Sequence, residues 1–221
     1  MRRTGAVPAR AEVGLPDEAV VFCCFNHCYK ILPDIFGAWM RILAGVDGSV
    51  LWLLEDDEMT SRNLRKEAAA RGVAPERLIF APRVPHGAHL ARLRCADLFL
   101  DTLPYNAHTT ASDALWEDLP VVTLKGQAFA ARVAASLLTA LDLPELITET
   151  MADYEGVATE LARHPDRLTA IRQKLARHRL AAPAFDPARF TRQLEAAYRM
   201  MYERHQAGLE PGDFDVPAIV S

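Results

Sequence analysis

Residues 96–116 read ADLFLDTLPYNAHTTASDALW. Three patterns follow one another here. Residues 97–101 read as a strand, its apolar centre Leu98-Phe99-Leu100 suited to burial on both faces. A short loop rich in turn-forming residues comes next. From Thr109 to Glu117 small and apolar residues return at helical spacing. A buried strand that passes through a polar loop straight into a helix is half of a βαβ unit.

The same alternation extends in both directions. Toward the N-terminus, strands are expected at 20–24, 49–54 and 77–80. Helices are expected at 33–43, opened by Pro33, at 60–70, capped by Thr60 or Ser61 and ended by Gly72, and at 86–94. Toward the C-terminus, a strand at 120–124, a helix at 128–140 and a short strand at 146–147 complete the pattern. Strict alternation predicts an α/β fold: a doubly wound, Rossmann-like parallel sheet with right-handed crossovers and C-terminal helices. The expected organisation is a loose lead-in over 1–18, a Rossmann-like domain over 19–150, a helical extension over 151–207 split by Pro165 and Pro183, and a loose tail over 208–221.

Composition narrows the function classes. The 221 residues are 50% hydrophobic and 24% charged, with a net charge of −4, so nothing in the bulk charge points to nucleic acid. No apolar run reaches the roughly 20 residues of a membrane span. The start Met1-Arg2-Arg3 has no apolar stretch behind it, so no signal peptide is expected and a cytoplasmic location is the default. The four cysteines, Cys23, Cys24, Cys28 and Cys95, form no CxxC pair and read as buried thiols in a reducing compartment. Motifs for dinucleotide binding, the P-loop, the Ser nucleophile elbow and an Asp-x-Asp metal site are all absent.

In a doubly wound sheet, ligands bind beyond the carboxyl ends of the strands, near the point where strand order reverses. The loop 101–113 lies at such an end and runs into a helix start, whose unpaired amides and partial positive charge suit a phosphate. Thr109 and Thr110 add hydroxyls, His108 can donate to an anionic oxygen, and Asp113 can accept from ribose hydroxyls. The alternative is that a threonine caps the helix and Asp113 answers its dipole. Lys30, at the end of the first strand, is either a cation for a departing diphosphate or a solvated surface lysine. The double-proline loop 81–89 can present backbone groups to a base, with His89 stacking on it; alternatively His86 and His89 are ordinary surface or half-buried histidines. In the loop 125–136, Gly126 permits a tight turn, and Arg132 is either an anion ligand or a structural ion-pair partner.

With those residues in view, the chain from Val20 to about Ala207 resembles the C-terminal catalytic lobe of the O-GlcNAc transferase and SPINDLY-like glycosyltransferases. FNHCYKI (25–31), SVLWLLE (49–55), RLIFAPRVP (77–85), the quoted 96–116 block, RVAASLL (132–138) and the closing segment 184–205 carry the resemblance. It implies a GT-B architecture, UDP-GlcNAc as donor substrate, no cofactor and no metal, and an inverting transfer to a Ser or Thr hydroxyl of a protein acceptor. It also implies a further N-terminal lobe and tetratricopeptide repeats beyond this chain. Matched position by position, it makes Lys30 the catalytic lysine on the diphosphate and places His108, Thr109 and Thr110 on the phosphates. Asp113 falls on the ribose, and His89, Arg92 and the backbone of Val84 fall at the base. His27 replaces the glutamine, and His86 the lysine, of the animal enzymes, so a sugar contact by His27 and a ribose contact by His86 are the departures from the pattern. His108 with Asp113 favours the GlcNAc branch over SPINDLY fucosyltransferases. A non-catalytic nucleotide-binding or interaction module, or a UDP-glucose-using relative, are the alternatives.

Overall fold

The computed structural model describes residues 5–180 and 182–217. The Met1-Arg2-Arg3 start and the last four residues of the tail lie outside them. Six strands form one parallel sheet: β1 (Val21–Cys24), β2 (Val50–Leu54), β3 (Leu78–Ala81), β4 (Leu98–Leu100), β5 (Val121–Leu124) and β6 (Ile147–Thr148), in the order β3-β2-β1-β4-β5-β6. Its central strands are buried at every residue of β1, β4 and β5, which is why they read as continuous apolar runs rather than alternating ones.

Successive strands step one way from β1 to β3 and the other way from β4 to β6. Right-handed crossovers therefore place the two sets of helices on opposite faces. α1 (Pro33–Gly45) buries Ile35, Phe36, Trp39, Met40, Ile42 and Leu43 against the sheet, and α2 (Glu58–Ala70) follows β2. α3 (His86–Leu93), α4 (Thr109–Trp116) and α5 (Val133–Ala140) follow β3, β4 and β5. α6 (Met151–Arg163) returns to the α1 face and packs on α1, β4 and β5. There the fully buried Tyr154 accepts a hydrogen bond from Trp39 Nε1 at 3.0 Å and donates one to the Asp101 carbonyl at 3.0 Å. α7 (Pro165–Arg179) opens on Pro165, as its missing N–H allows, and α8 (Pro187–Gln206) buries no residue.

Four local expectations are corrected. Asp57, not Thr60 or Ser61, caps α2, accepting from the Thr60 amide at 2.8 Å. The helix expected over 128–140 is two pieces, a 3-10 turn at Phe129–Ala131 and then α5. The Gly126 amide donates to Ala131 O at 2.8 Å and folds the chain back, so closely that a Cβ on Gly126 would sit 2.6 Å from that of Ala131. The lead-in is not loose from Gly5 onward. Arg10 donates to the carbonyls of Cys95 and Ala19 at 3.0 and 2.8 Å and pairs with Asp97 at 2.8 Å, while Leu15 is buried. Of the thiols, Cys23, Cys24 and Cys95 are buried but Cys28 is only half-buried.

Candidate functional site

Strand order reverses between β1 and β4, so the loops leaving these two strands stand side by side at the sheet's carboxyl edge. A cleft of about 460 Å³ opens there. The ten residues that the resemblance assigns to the donor site all line it: His27, Lys30, Val84, His86, His89, Arg92, His108, Thr109, Thr110 and Asp113.

A buried carboxylate shapes the loop between β4 and α4. Asp101, 1% exposed, accepts from the amides of Ala107 and Thr102 at 2.6 and 2.8 Å and from Thr123 Oγ1 at 2.7 Å. Burial pushes its carboxyl up to about 7 against those hydrogen bonds and the attraction of Lys30. Asn106, fully buried, ties the same loop to itself through Thr102 O at 2.8 Å and to Ala130 O at 2.9 Å. The loop closes on itself and delivers its exit to α4 in one orientation.

At that exit His108 occupies the N-cap position, and its side chain makes no capping bond. The first hydrogen bond of the ladder is Ser112 N to His108 O, so the amides of Thr109, Thr110 and Ala111 precede it and point out of the helix. Neither threonine caps the helix. Thr110 Oγ1 donates to Asn26 Oδ1 at 2.5 Å, which engages the hydroxyl hydrogen that the sequence reading offered to a ligand. His108 Nε2 faces Ala130 O at 3.3 Å, and the residue lines the cleft.

Lys30 is half-buried, not a solvated surface lysine. Its Nζ donates to Asn106 O at 3.0 Å and stands 3.7 Å from the centre of the Tyr105 ring. Burial lowers its affinity for the proton, and Asp101 opposes that effect. Rings continue along the rim in the order His27, Tyr29, Tyr105, His108 and Phe129, with centroid spacings of 5.1 to 6.5 Å.

The other end of the cleft is built differently. Arg92, 5% exposed, donates to Pro82 O at 2.6 Å and to His89 Nδ1 at 3.2 Å, with its guanidinium 4.7 Å from the Phe25 ring centre. It therefore braces the 82–85 loop, on which Val84 sits exposed. His89 meets Phe25 edge to face at 5.2 Å. Burial first, and the Arg92 charge second, push its imidazole down to about 4, so it is neutral at pH 7 with Nε2 carrying the hydrogen. Asp113 is the fifth residue of α4, not in its first turn, and is 4% exposed. His86 Nε2 lies 3.2 Å from its Oδ2, so the two groups expected at the ribose face each other.

His27 sits at the mouth, its Nδ1 3.1 Å from Asp56 Oδ1, and Arg83 Nη2 reaches the same oxygen at 2.8 Å. Burial alone would raise Asp56, but hydrogen bonds from Cys28 and Arg83 outweigh it and hold the carboxyl below its ordinary value. Asn26, Tyr105 and Arg83 line the cleft without having been singled out. Asn26 and Arg83 lay inside quoted segments, but their partners, Thr102, Thr110 and Asp56, are distant in sequence. The 125–136 segment stays outside the cleft lining and backs His108 through Phe129 and Ala130. Arg132 precedes α5 and donates to Gly126 O at 3.2 Å. Among the described residues no cluster of three or more His, Cys, Asp or Glu side chains is placed to hold a metal ion, and no helix is long and apolar enough to cross a membrane.

Comparison with known proteins agrees with this geometry. The family model described as "Glycosyl transferase family 41" matches residues 1–194. The chain is 38% identical over 210 residues to the Arabidopsis thaliana protein named "Probable UDP-N-acetylglucosamine--peptide N-acetylglucosaminyltransferase SEC", covering 95% of this chain and 22% of that protein. It is 37% identical over 201 residues to the Caenorhabditis elegans "UDP-N-acetylglucosamine--peptide N-acetylglucosaminyltransferase", covering 91% and 18%. An O-GlcNAc transferase mutant from Thermobaculum terrenum superposes with a TM-score of 0.82 at 35% identity, covering 92% of this chain and 39% of that one. The chain thus spans about a fifth of the length of these curated relatives.

Proposed function

This chain belongs to glycosyl transferase family 41, and from that premise we propose that it is the donor-binding half of a metal-independent, inverting transferase. Its donor is UDP-GlcNAc and its acceptor a Ser or Thr hydroxyl of a protein. The observation that carries the reading is one cleft at the β1/β4 switch point, where a half-buried ammonium and an uncapped helix start face the same space. As the acceptor oxygen bonds to the anomeric carbon and gives up its hydroxyl proton to solvent, the bond from that carbon to the phosphate oxygen breaks and its electron pair stays with UDP. Charge therefore grows on the diphosphate. Lys30 Nζ and the amides of residues 109–111 are fixed before that charge appears, and such preorganised donors lower the barrier. Uracil lies against the 82–85 loop and neutral His89, with ribose near His86 and Asp113. The acceptor wall, an N-terminal lobe and tetratricopeptide repeats belong to the part of the relatives' length that this chain does not span.

Calorimetry tests the donor half of the reading. UDP is expected to bind with EDTA present, and Lys30→Ala and His108→Ala are expected to weaken it; unchanged affinity in both variants rejects it. The alternative reading is a module that binds nucleotide and transfers nothing. Release of labelled GlcNAc from UDP-GlcNAc by this chain rejects that second reading.

A further inference from the structure

Tyr105 has no role in the reading above, yet its position is closely determined. Its carbonyl accepts from Thr102 Oγ1 at 2.6 Å, and the buried Asn106 side chain fixes the next residue through Thr102 O. Its ring lies between those of Tyr29 at 6.5 Å and His108 at 5.1 Å, and Lys30 Nζ rests 3.7 Å from the ring centre. The neighbouring carbonyl, Asn106 O, takes one Nζ hydrogen at 3.0 Å. One short loop thus supplies an aromatic face and an acceptor to the same ammonium, and Nζ has hydrogens left to turn into the cleft.

We propose that Tyr105 is a positioning residue: its ring face holds the Lys30 ammonium charged and aimed at the diphosphate, a role that rests on the donor-binding reading. The negative face of an aromatic ring attracts a cation most strongly where water is thinned out. Lys30 is in that setting, since burial works against its charge and the Asp101 carboxyl that supports it is shielded inside the loop. Without the ring, the side chain has a single fixed partner and a wider choice of rotamers.

Two measurements test this. The first needs no nucleotide: the pH dependence of Lys30 acylation by an N-hydroxysuccinimide ester, followed by peptide mass spectrometry. Tyr105→Leu is expected to move the midpoint to lower pH, and Tyr105→Phe, which keeps the ring, to leave it in place. An unmoved midpoint in Tyr105→Leu overturns the proposal. The second is a cycle of UDP affinities. Tyr105→Leu should weaken UDP roughly threefold to tenfold, Tyr105→Phe should bind like the parent, and Tyr105→Leu in a Lys30→Met background should cost nothing further. Equal losses in both backgrounds would show a merely structural role and overturn it. If the parent chain fails to bind UDP, the donor-binding reading falls with the aim at the diphosphate, while the acylation midpoint still decides the coupling of Tyr105 to Lys30.

Discussion

The two ends of the cleft use cations in opposite ways. At the β1/β4 end, Lys30 is held by one carbonyl and one ring and keeps hydrogens for the cleft. At the β3–α3 end, Arg92 is 5% exposed and gives its Nε hydrogen to His89 and an Nη1 hydrogen to Pro82 O, with its guanidinium over Phe25. One cation is placed to meet a ligand, the other to stiffen the loop that meets it. A basic residue in a binding cleft is therefore not a ligand contact by default; what matters is whether its hydrogens are already engaged.

The difference can be broken or sharpened by substitution, most strongly at Lys30. Lys30→Ala is expected to weaken UDP by roughly tenfold to a hundredfold, the range for a charge-assisted hydrogen bond of about 1.5–3 kcal/mol. The same variant should leave uridine affinity nearly unchanged, and paired calorimetric titrations check this. Arg92→Ala should do the reverse. It removes the brace from the 82–85 loop and leaves Pro82 O unpaired, so it should lower stability by about 1–3 kcal/mol in urea denaturation and weaken uridine and UDP alike. If it weakened UDP alone, the assignment of Arg92 to the loop would be wrong.

Proton linkage separates the same two ends. His89 moves from an ordinary 6.5 to about 4 on folding, so between those values the unfolded chain holds more protons. Its contribution to stability is full above about 6.5 and is lost as pH falls toward 4. Asp101 moves from 3.8 to about 7, so in that window the folded chain holds the extra proton. Its contribution is full below 3.8 and is lost as pH rises toward 7. The imidazole resonances of His89 should therefore stay in the neutral form down to about pH 4 in an NMR titration. Asp101→Asn should remove the carboxyl's falling contribution, so that by thermal denaturation its stability declines less, or rises more, between pH 4 and 7 than the parent's. The smallest effect is expected at Thr110, whose hydroxyl hydrogen already goes to Asn26. Thr110→Val should lower stability by about 1 kcal/mol and change UDP affinity less than Lys30→Ala does.

What could be read from sequence follows the range of the interactions involved. Strands such as 21–24 and 50–53 are buried on both faces, so a local apolar run was enough to place them, and their alternation with helices set the topology. The loops at the strands' carboxyl ends were then legible as a group, because the doubly wound fold itself directs ligands there. The pairings within the cleft were not. Asn26 meets Thr102 and Thr110, 76 and 84 residues away, and Tyr154 reaches Asp101 O across 53. Nothing in the local pattern around Thr110 reveals that its hydroxyl is taken, or around Arg92 that it is buried. The split before α5 was missed because the turn depends on the close approach of Gly126 to Ala131, while the residues themselves have helical composition.

The central claim is that the Lys30 ammonium and the uncapped start of α4 form one cradle for a nucleotide's diphosphate. Its most direct test is a ¹H–¹⁵N NMR titration of the chain with UDP and, separately, with uridine. The account predicts that UDP shifts the backbone amides of Thr109, Thr110 and Ala111 strongly, that uridine leaves them nearly still, and that both ligands move the amides around Val84. Amides at 109–111 that ignore UDP while it binds elsewhere would contradict it.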